Sequence, residues 1–150
     1  MNSADLKILE QAILTRLGSV DVPPLADDVM LLSKSFTEGR DDLPREYLRE
    51  SANLRAYVAG FLLINAAKVL HCLDEAAELG LIPAKEGYRI LDLGCGPGTA
   101  SLAASIFFSR RFQDSSVEFV GVERSDAALA EAEKIFKAIG NTRHRFNAIT

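Results

Sequence analysis

The residues best suited to chemistry are Gly94, Cys95, Gly96, Pro97 and Gly98, a loop with glycine at alternate positions. Asp92 lies two residues before it and Glu123 well after it. A glycine carries no Cβ, so the backbone can turn tightly there and a ligand can come close. A helix starting directly after such a loop offers free N–H groups and a partial positive charge. A dinucleotide fingerprint requires Gly or Ala at the sixth position. Counted from Gly94 that position is Thr99, and the third glycine falls one place early, at Gly98. The phosphate loop G-x-x-x-x-G-K-[ST] does not occur. A carboxylate at Asp92 disfavours a pyrophosphate and suits a ligand with a positively charged amino group. Glu123 can accept hydrogen bonds from a ribose diol, at about 1.5–3 kcal/mol each when charge-assisted. The plain alternative is a strand-to-helix turn with no ligand.

The elements that must hold these residues follow from periodicity. Tyr88 to Leu93 is a short apolar run, which predicts a buried parallel strand. Thr99 to about Ser109 is rich in Ala and Leu and predicts a helix. Val117 to Val122 predicts a second strand that ends at Glu123. Ser125 or Asp126 can cap a helix that Gly140 closes, and Arg143 to Ile149 can start a third strand. The alternation predicts an α/β fold with a parallel sheet.

Upstream, the pattern is helical. Ser3 can cap a helix to Leu17 that places Leu6, Leu9, Ile13 and Leu17 on one face. Pro23 and Pro24 open a second helix that stops near Gly39. The polar run Glu38 to Asp42 is a linker, and Pro44 opens a third helix. Ser51 can cap a longer one, apolar nearly all round and so expected to be buried, which ends at Gly80. Tyr57, Phe61 and Asn65 share a face of it and could either lid a pocket or pack in the core. The division expected is a helical segment over 1–83 and an α/β domain over 84–150.

Composition bounds the rest. The chain has 150 residues, 48% hydrophobic and 25% charged, with net charge −4. That excludes disorder and leaves room for a core. Two cysteines rule out a disulfide scaffold, and neither belongs to a C-x-x-C pair, so no metal site is expected. Residues 1–87 carry −5 and residues 88–150 carry +1, so neither part is a basic nucleic-acid platform by net charge. The most apolar stretch, Ala56 to Ile64, is too short to cross a membrane, and Asn65 and Lys68 follow it. No targeting segment is visible in the first residues, and two cysteines expected to be reduced fit a cytoplasmic compartment. Cys95 reads as a small loop residue and Cys72 as core. His71 reads as helix surface, and His144, between Arg143 and Arg145, as a solvated strand entrance. Arg110 and Arg111 suit a helix C-terminus.

The run Ile90-Leu91-Asp92-Leu93-Gly94-Cys95-Gly96-Pro97-Gly98-Thr99 resembles the first motif of class I S-adenosylmethionine-dependent methyltransferases. Val120-Gly121-Val122-Glu123-Arg124-Ser125, with Leu129 and Ala132, resembles the second. The likeness covers about residues 88–140. It implies a Rossmann-like fold, of which this chain would hold the first half, and S-adenosylmethionine as cofactor. The implied site is Asp92, Gly94, Cys95, Gly96, Gly98, Glu123, Arg124 and Ser125. Asp92 would face the amino group and Glu123 the ribose, with Arg124 or Ser125 bordering the adenine. Catalytic residues would lie beyond Thr150.

A narrower resemblance rests on Tyr47-Leu48, on Arg55 to Leu62, on Asn65 and on the run from Leu91 to Ala103. It is to the mitochondrial small-ribosomal-subunit methyltransferase-like family and its bacterial relatives. It implies small ribosomal subunits or ribosomal RNA as partner. Two other roles fit the same residues: a non-catalytic ribosome-assembly factor with this fold, and a small-molecule methyltransferase. If the chain is half of such a fold, its first strand keeps an unpaired edge. Self-association, or coverage of that edge by an N-terminal helix, is then expected.

Overall fold

The computed structural model describes residues 3–40, 43, 44 and 46–150. Asp41 and Asp42 of the expected linker lie outside these residues, as does Ser3's side chain. The order is α1 (Ser3–Leu17), α2 (Val22–Thr37), a 3-10 turn (Tyr47–Arg49), α3 (Ser51–Tyr57), a π-helical segment (Val58–Leu62) and α4 (Leu63–Glu78). Then follow β1 (Gly87–Leu93), α5 (Thr99–Arg111), β2 (Ser116–Val122), α6 (Asp126–Ile139) and β3 (His144–Ile149). The α/β expectation holds: three parallel strands in the order β1-β2-β3, joined through α5 and α6.

Strand alternation decides where the core sits. Val117, Phe119 and Gly121 face one way and are buried, as is His144 on β3. Leu91 and Leu93 face the other way and are 62% and 72% exposed. The helices therefore cover one face of the sheet. This corrects the expectation of a strand buried on both faces. The apolar run in β1 also hid an alternating pattern.

Helix α5 is buried from Thr99 through Phe108 except for the half-buried Ala100, because it lies between the sheet and the helical segment. One continuous core includes Leu9 and Ile13 of α1, Leu62 and Leu70 of the long helix, Phe107 of α5, Phe119 of β2 and Ile135 of α6. Polar ties cross the same layers. The Arg110 guanidinium binds both Asp5 of α1 and Asp74 of α4. Arg16 of α1 pairs with Glu131 of α6 at 2.8 Å. Arg110 thus joins three helices, beyond the dipole role expected of it.

The helical segment departs from expectation in several places. After Pro44 there is only the 3-10 turn, and Ser51 is the first helical residue, behind an extended Glu50. From Ser51 to Glu78 the chain runs without a break through Asn65 and Lys68. By length and composition that run is enough to cross a membrane. One stripe of it is buried, namely Leu54, Val58, Leu62, Ala66 and Leu70, at every fourth residue. Four-residue steps drift by about 40° each on an α-helix of 3.6 residues per turn. The π-helical turn carries an extra residue and turns the stripe back. Ile64 is 60% exposed and Cys72 is also exposed, so the helix is not buried all round and Cys72 is not core.

Candidate functional site

The glycine loop continues the β1–β2 ladder for one more step. The N–H groups of Gly94 and Cys95 both donate to the Val122 carbonyl, at 2.8 and 3.1 Å. The chain then turns over Cys95, whose carbonyl accepts from Gly98 N at 2.9 Å. Gly98 has φ +81°, and a Cβ there would sit 3.0 Å from the Ala132 methyl of α6. Both the backbone and the space require glycine. Gly121 has a steric role instead. A Cβ on it would meet the Phe146 ring at 2.5 Å and the Cys95 sulfur at 2.9 Å.

Two carboxylates brace this loop. Asp92 Oδ2 accepts from Ser101 N at 3.2 Å and from Ser101 Oγ at 2.7 Å. Its Oδ1 has no hydrogen-bond partner among the described residues. Glu123 folds back across the loop. Its Oε2 accepts from Gly96 N at 3.1 Å, and its Oε1 accepts from the N–H groups of Arg124 and Ser125 at 2.8 and 3.1 Å. A carboxylate offers about four lone-pair sites. Three are taken here, so one remains for a ligand while the Gly96 bond stands.

The loop opens onto a cavity of about 310 Å³. Asp92, Gly94, Cys95, Gly96 and Glu123 line it, with Pro97, Thr99 and Ala100. The opposite wall comes from the helical segment: Glu46, Tyr47, Leu48, Tyr57 and Val69. Of the residues expected to share the lid face, Tyr57 lines the cavity. Phe61 supports the wall from behind, and Asn65 instead accepts from Lys68 Nζ at 3.0 Å. Phe36 of α2 lies edge-on to both Tyr47 and Phe61, and Phe61 stacks on Tyr57. Tyr47, Glu46, Val69 and Thr99 were not singled out as site residues. Their spacing carries no chemical pattern, and only the chain's return path brings the first three to the loop.

The remaining expected residues stand apart from the cavity wall. Gly98 is the hinge behind it. The Arg124 side chain is exposed. Ser125 is buried and caps α6, accepting from Ala128 N at 3.2 Å while donating to the Leu48 carbonyl at 3.1 Å. Its hydroxyl is therefore committed to joining the helical segment to β2's end.

Electrostatics give the cavity a sign. Three carboxylates, Glu46, Asp92 and Glu123, line it, and no Lys, Arg or His does among the described residues. Glu46 is partly neutralised by Arg49 at 2.9 Å. Burial, then the nearby Asp92 and Glu123 charges, push the Cys95 thiol up to about 12. A thiol so disposed stays protonated and is a poor nucleophile. Burial, then Tyr57 and Glu123, push the Tyr47 hydroxyl up to about 12. Both groups remain neutral donors. A second cavity, about 360 Å³, lies by the Arg16–Glu131 pair and shares no residue with the loop.

Residues 84–148 match the family model of a methyltransferase domain. The match spans β1 almost to the end of β3, and so contains the glycine loop, Asp92 and Glu123. It does not extend into the helical segment. No curated protein matches the chain. Over these residues the chain is similar to a methyltransferase domain.

Proposed function

We propose that the α/β part of this chain holds S-adenosylmethionine for methyl transfer, in the cavity between the glycine loop and the helical segment. The observation that carries this is the charge of the wall. Three carboxylates and, among the described residues, no cationic side chain line the cavity beside the glycine loop, which suits a ligand with a sulfonium and an ammonium and opposes a pyrophosphate. Asp92 Oδ1 is free to accept from the ammonium. Glu123 has one free lone pair for a ribose hydroxyl, and a second becomes free if Gly96 N–H is released. The donors and acceptors therefore fit the cofactor. When bound, it would supply an electrophilic methyl group. The chain's part is to fix the cofactor's position, and positioning is a large part of methyl-transfer catalysis.

Titration calorimetry of the chain with S-adenosylmethionine tests the reading. Binding is expected, with Glu123→Ala weakening it by roughly 10–100-fold, equivalent to about 1.4–2.8 kcal/mol. No binding by the unmodified chain would overturn it. Small ribosomal subunits or ribosomal RNA are proposed as the partner on resemblance alone. Tyr47, Leu48 and Tyr57, which carry that resemblance, also wall the cavity. Co-sedimentation with small subunits tests the partnership. Its absence alongside cofactor binding favours a small-molecule acceptor, and its presence without cofactor binding favours the assembly factor.

A further inference from the structure

Away from the glycine loop, the cavity of about 360 Å³ lies where α1, the long helix and α6 meet. Its wall includes Arg16 and Leu17 of α1, Leu54, Arg55 and Val58 of the long helix, and Glu131 of α6. That volume is within the range of sites that take small molecules. Its polar groups are unevenly engaged. Glu131 is 8% exposed, and its two oxygens lie on Arg16 Nε at 2.8 and 3.0 Å. The Arg16 Nη groups have no hydrogen-bond partner among the described residues. Arg55 has no polar partner at all among them. One turn away on its own helix stand Ser51, Ala52, Val58 and Ala59, none of them an acid.

Two guanidiniums against one carboxylate leave this cavity one positive charge in excess. The loop cavity, with its three carboxylates, has the opposite sign. A lone surface arginine is ordinarily matched by water. Arg55 differs in sharing a concave wall with a second guanidinium, which a buried carboxylate already holds in place. The planar forks suit a carboxylate or a phosphate, bound through paired N–H groups. Charge chooses between the two. One positive charge matches a monoanion, whereas a phosphate dianion would leave negative charge in excess beside Glu131. The rest of the wall, Leu17, Leu54 and Val58, is aliphatic, and no aromatic ring lines it among the described residues, so nothing there stacks a nucleobase. We propose that this cavity is a second binding site, which takes a small aliphatic carboxylic acid as its anion. Arg55 and the free Nη groups of Arg16 hold the carboxylate, and the aliphatic wall holds the body. The site shares no residue with the loop cavity and does not depend on what that cavity holds.

Isocaproate serves as the probe, with isocaproamide as its uncharged match. Magnetic resonance titration of the chain should show saturable binding of the acid at millimolar concentration. The backbone N–H signals of Leu17, Arg55 and Glu131 should move together, while those of Gly96 and Glu123 stay. Isocaproamide should bind about tenfold more weakly, the worth of one charge-assisted pair. Arg55→Gln should weaken the acid by about the same factor and bring it level with the neutral compound. Because Arg55 has no partner in the fold, the variant should keep its melting temperature. Equal affinity for acid and amide would overturn the proposal, as would an unaltered affinity in Arg55→Gln or the absence of saturable binding. Shifts confined to the glycine loop would place the acid elsewhere and overturn it too. Inorganic phosphate bound more tightly than isocaproate would overturn the choice of a carboxylate.

Discussion

His144 shows how one residue's surroundings decide its chemistry. Flanked by Arg143 and Arg145, it was expected at a solvated strand entrance. It is instead 8% exposed, with Nδ1 2.6 Å from the Ser105 hydroxyl of α5 and its ring edge-on to Phe119. Alternation explains this, because His144 starts β3 on the covered face while its arginine neighbour Arg145 points to the open one. Burial lowers its pKa below the usual 6.5. The folded state therefore holds fewer protons than the unfolded state between that lowered value and 6.5. Stability should rise with pH across that window and fall as the pH drops through it. Urea unfolding from about pH 8 down to 5 should show this slope, and His144→Gln should flatten it. An unchanged slope in the variant would assign it to other groups. The loop residues Asp92 and Glu123 were legible in the sequence because their chemistry depends on nearest neighbours along two strands. His144, Cys72 and Arg110 were not, because the deciding partners are Ser105, open solvent, and Asp5 with Asp74.

At the scale of elements, the helical segment does more than precede the α/β part. Its 3-10 turn and long helix form one wall of the cavity, and α2 supports that wall through Phe36. The support depends on a close crossing. A Cβ on Gly60, in the π-helical segment, would lie 2.5 and 3.1 Å from the two Val29 methyls and 3.4 Å from Val29 Cβ. Since both methyls and Cβ itself are close, no rotation of Val29 clears the space. Helix α2 buries only Leu32 fully, so it has little to resist displacement. Gly60→Ala gains up to about 1 kcal/mol of helix propensity but incurs an overpacking cost of about 1–3 kcal/mol. Net destabilisation is expected, with faster amide exchange in α2 and weaker cofactor binding as Phe36 leaves Tyr47. Adding Val29→Ala should recover both. A double variant no better than Gly60→Ala would mean that the crossing does not set the wall. Helices α1, α5 and α6 were legible because periodicity and end residues are local, as with Ser125 and Gly140 for α6. The π-helical turn, and the solvent face it gives the long helix, depend on α2 and α5 and leave no local pattern.

For the whole molecule, the unequal faces of the sheet set the remaining expectation. β1 pairs with β2 alone, so one row of its backbone groups has no strand beside it. The open face next to that row carries Leu91, Leu93 and Ile149, all exposed. An edge strand combined with exposed apolar side chains is the arrangement that natural proteins usually blunt with charge, proline or a covering element. On the open face Arg89 pairs with Glu118 at 2.8 Å and the Asn147 amide donates to Glu118 at 2.9 Å, while Arg145 lies on β3, the strand farthest from β1. They lie toward the N-terminal ends of the strands and leave the leucines unprotected. We propose that two copies pair through β1, extending the sheet across the contact. The small net charge of −4 opposes this only weakly. Sedimentation velocity should show mass rising with concentration, and β1 amides should exchange more slowly as it does. Leu91→Lys places a charge on the open face beside the edge and should return the chain to a monomer without altering cofactor affinity, because Leu91 points away from the cavity. A monomer at every concentration, with rapidly exchanging β1 amides, would contradict both pairing and coverage of this edge.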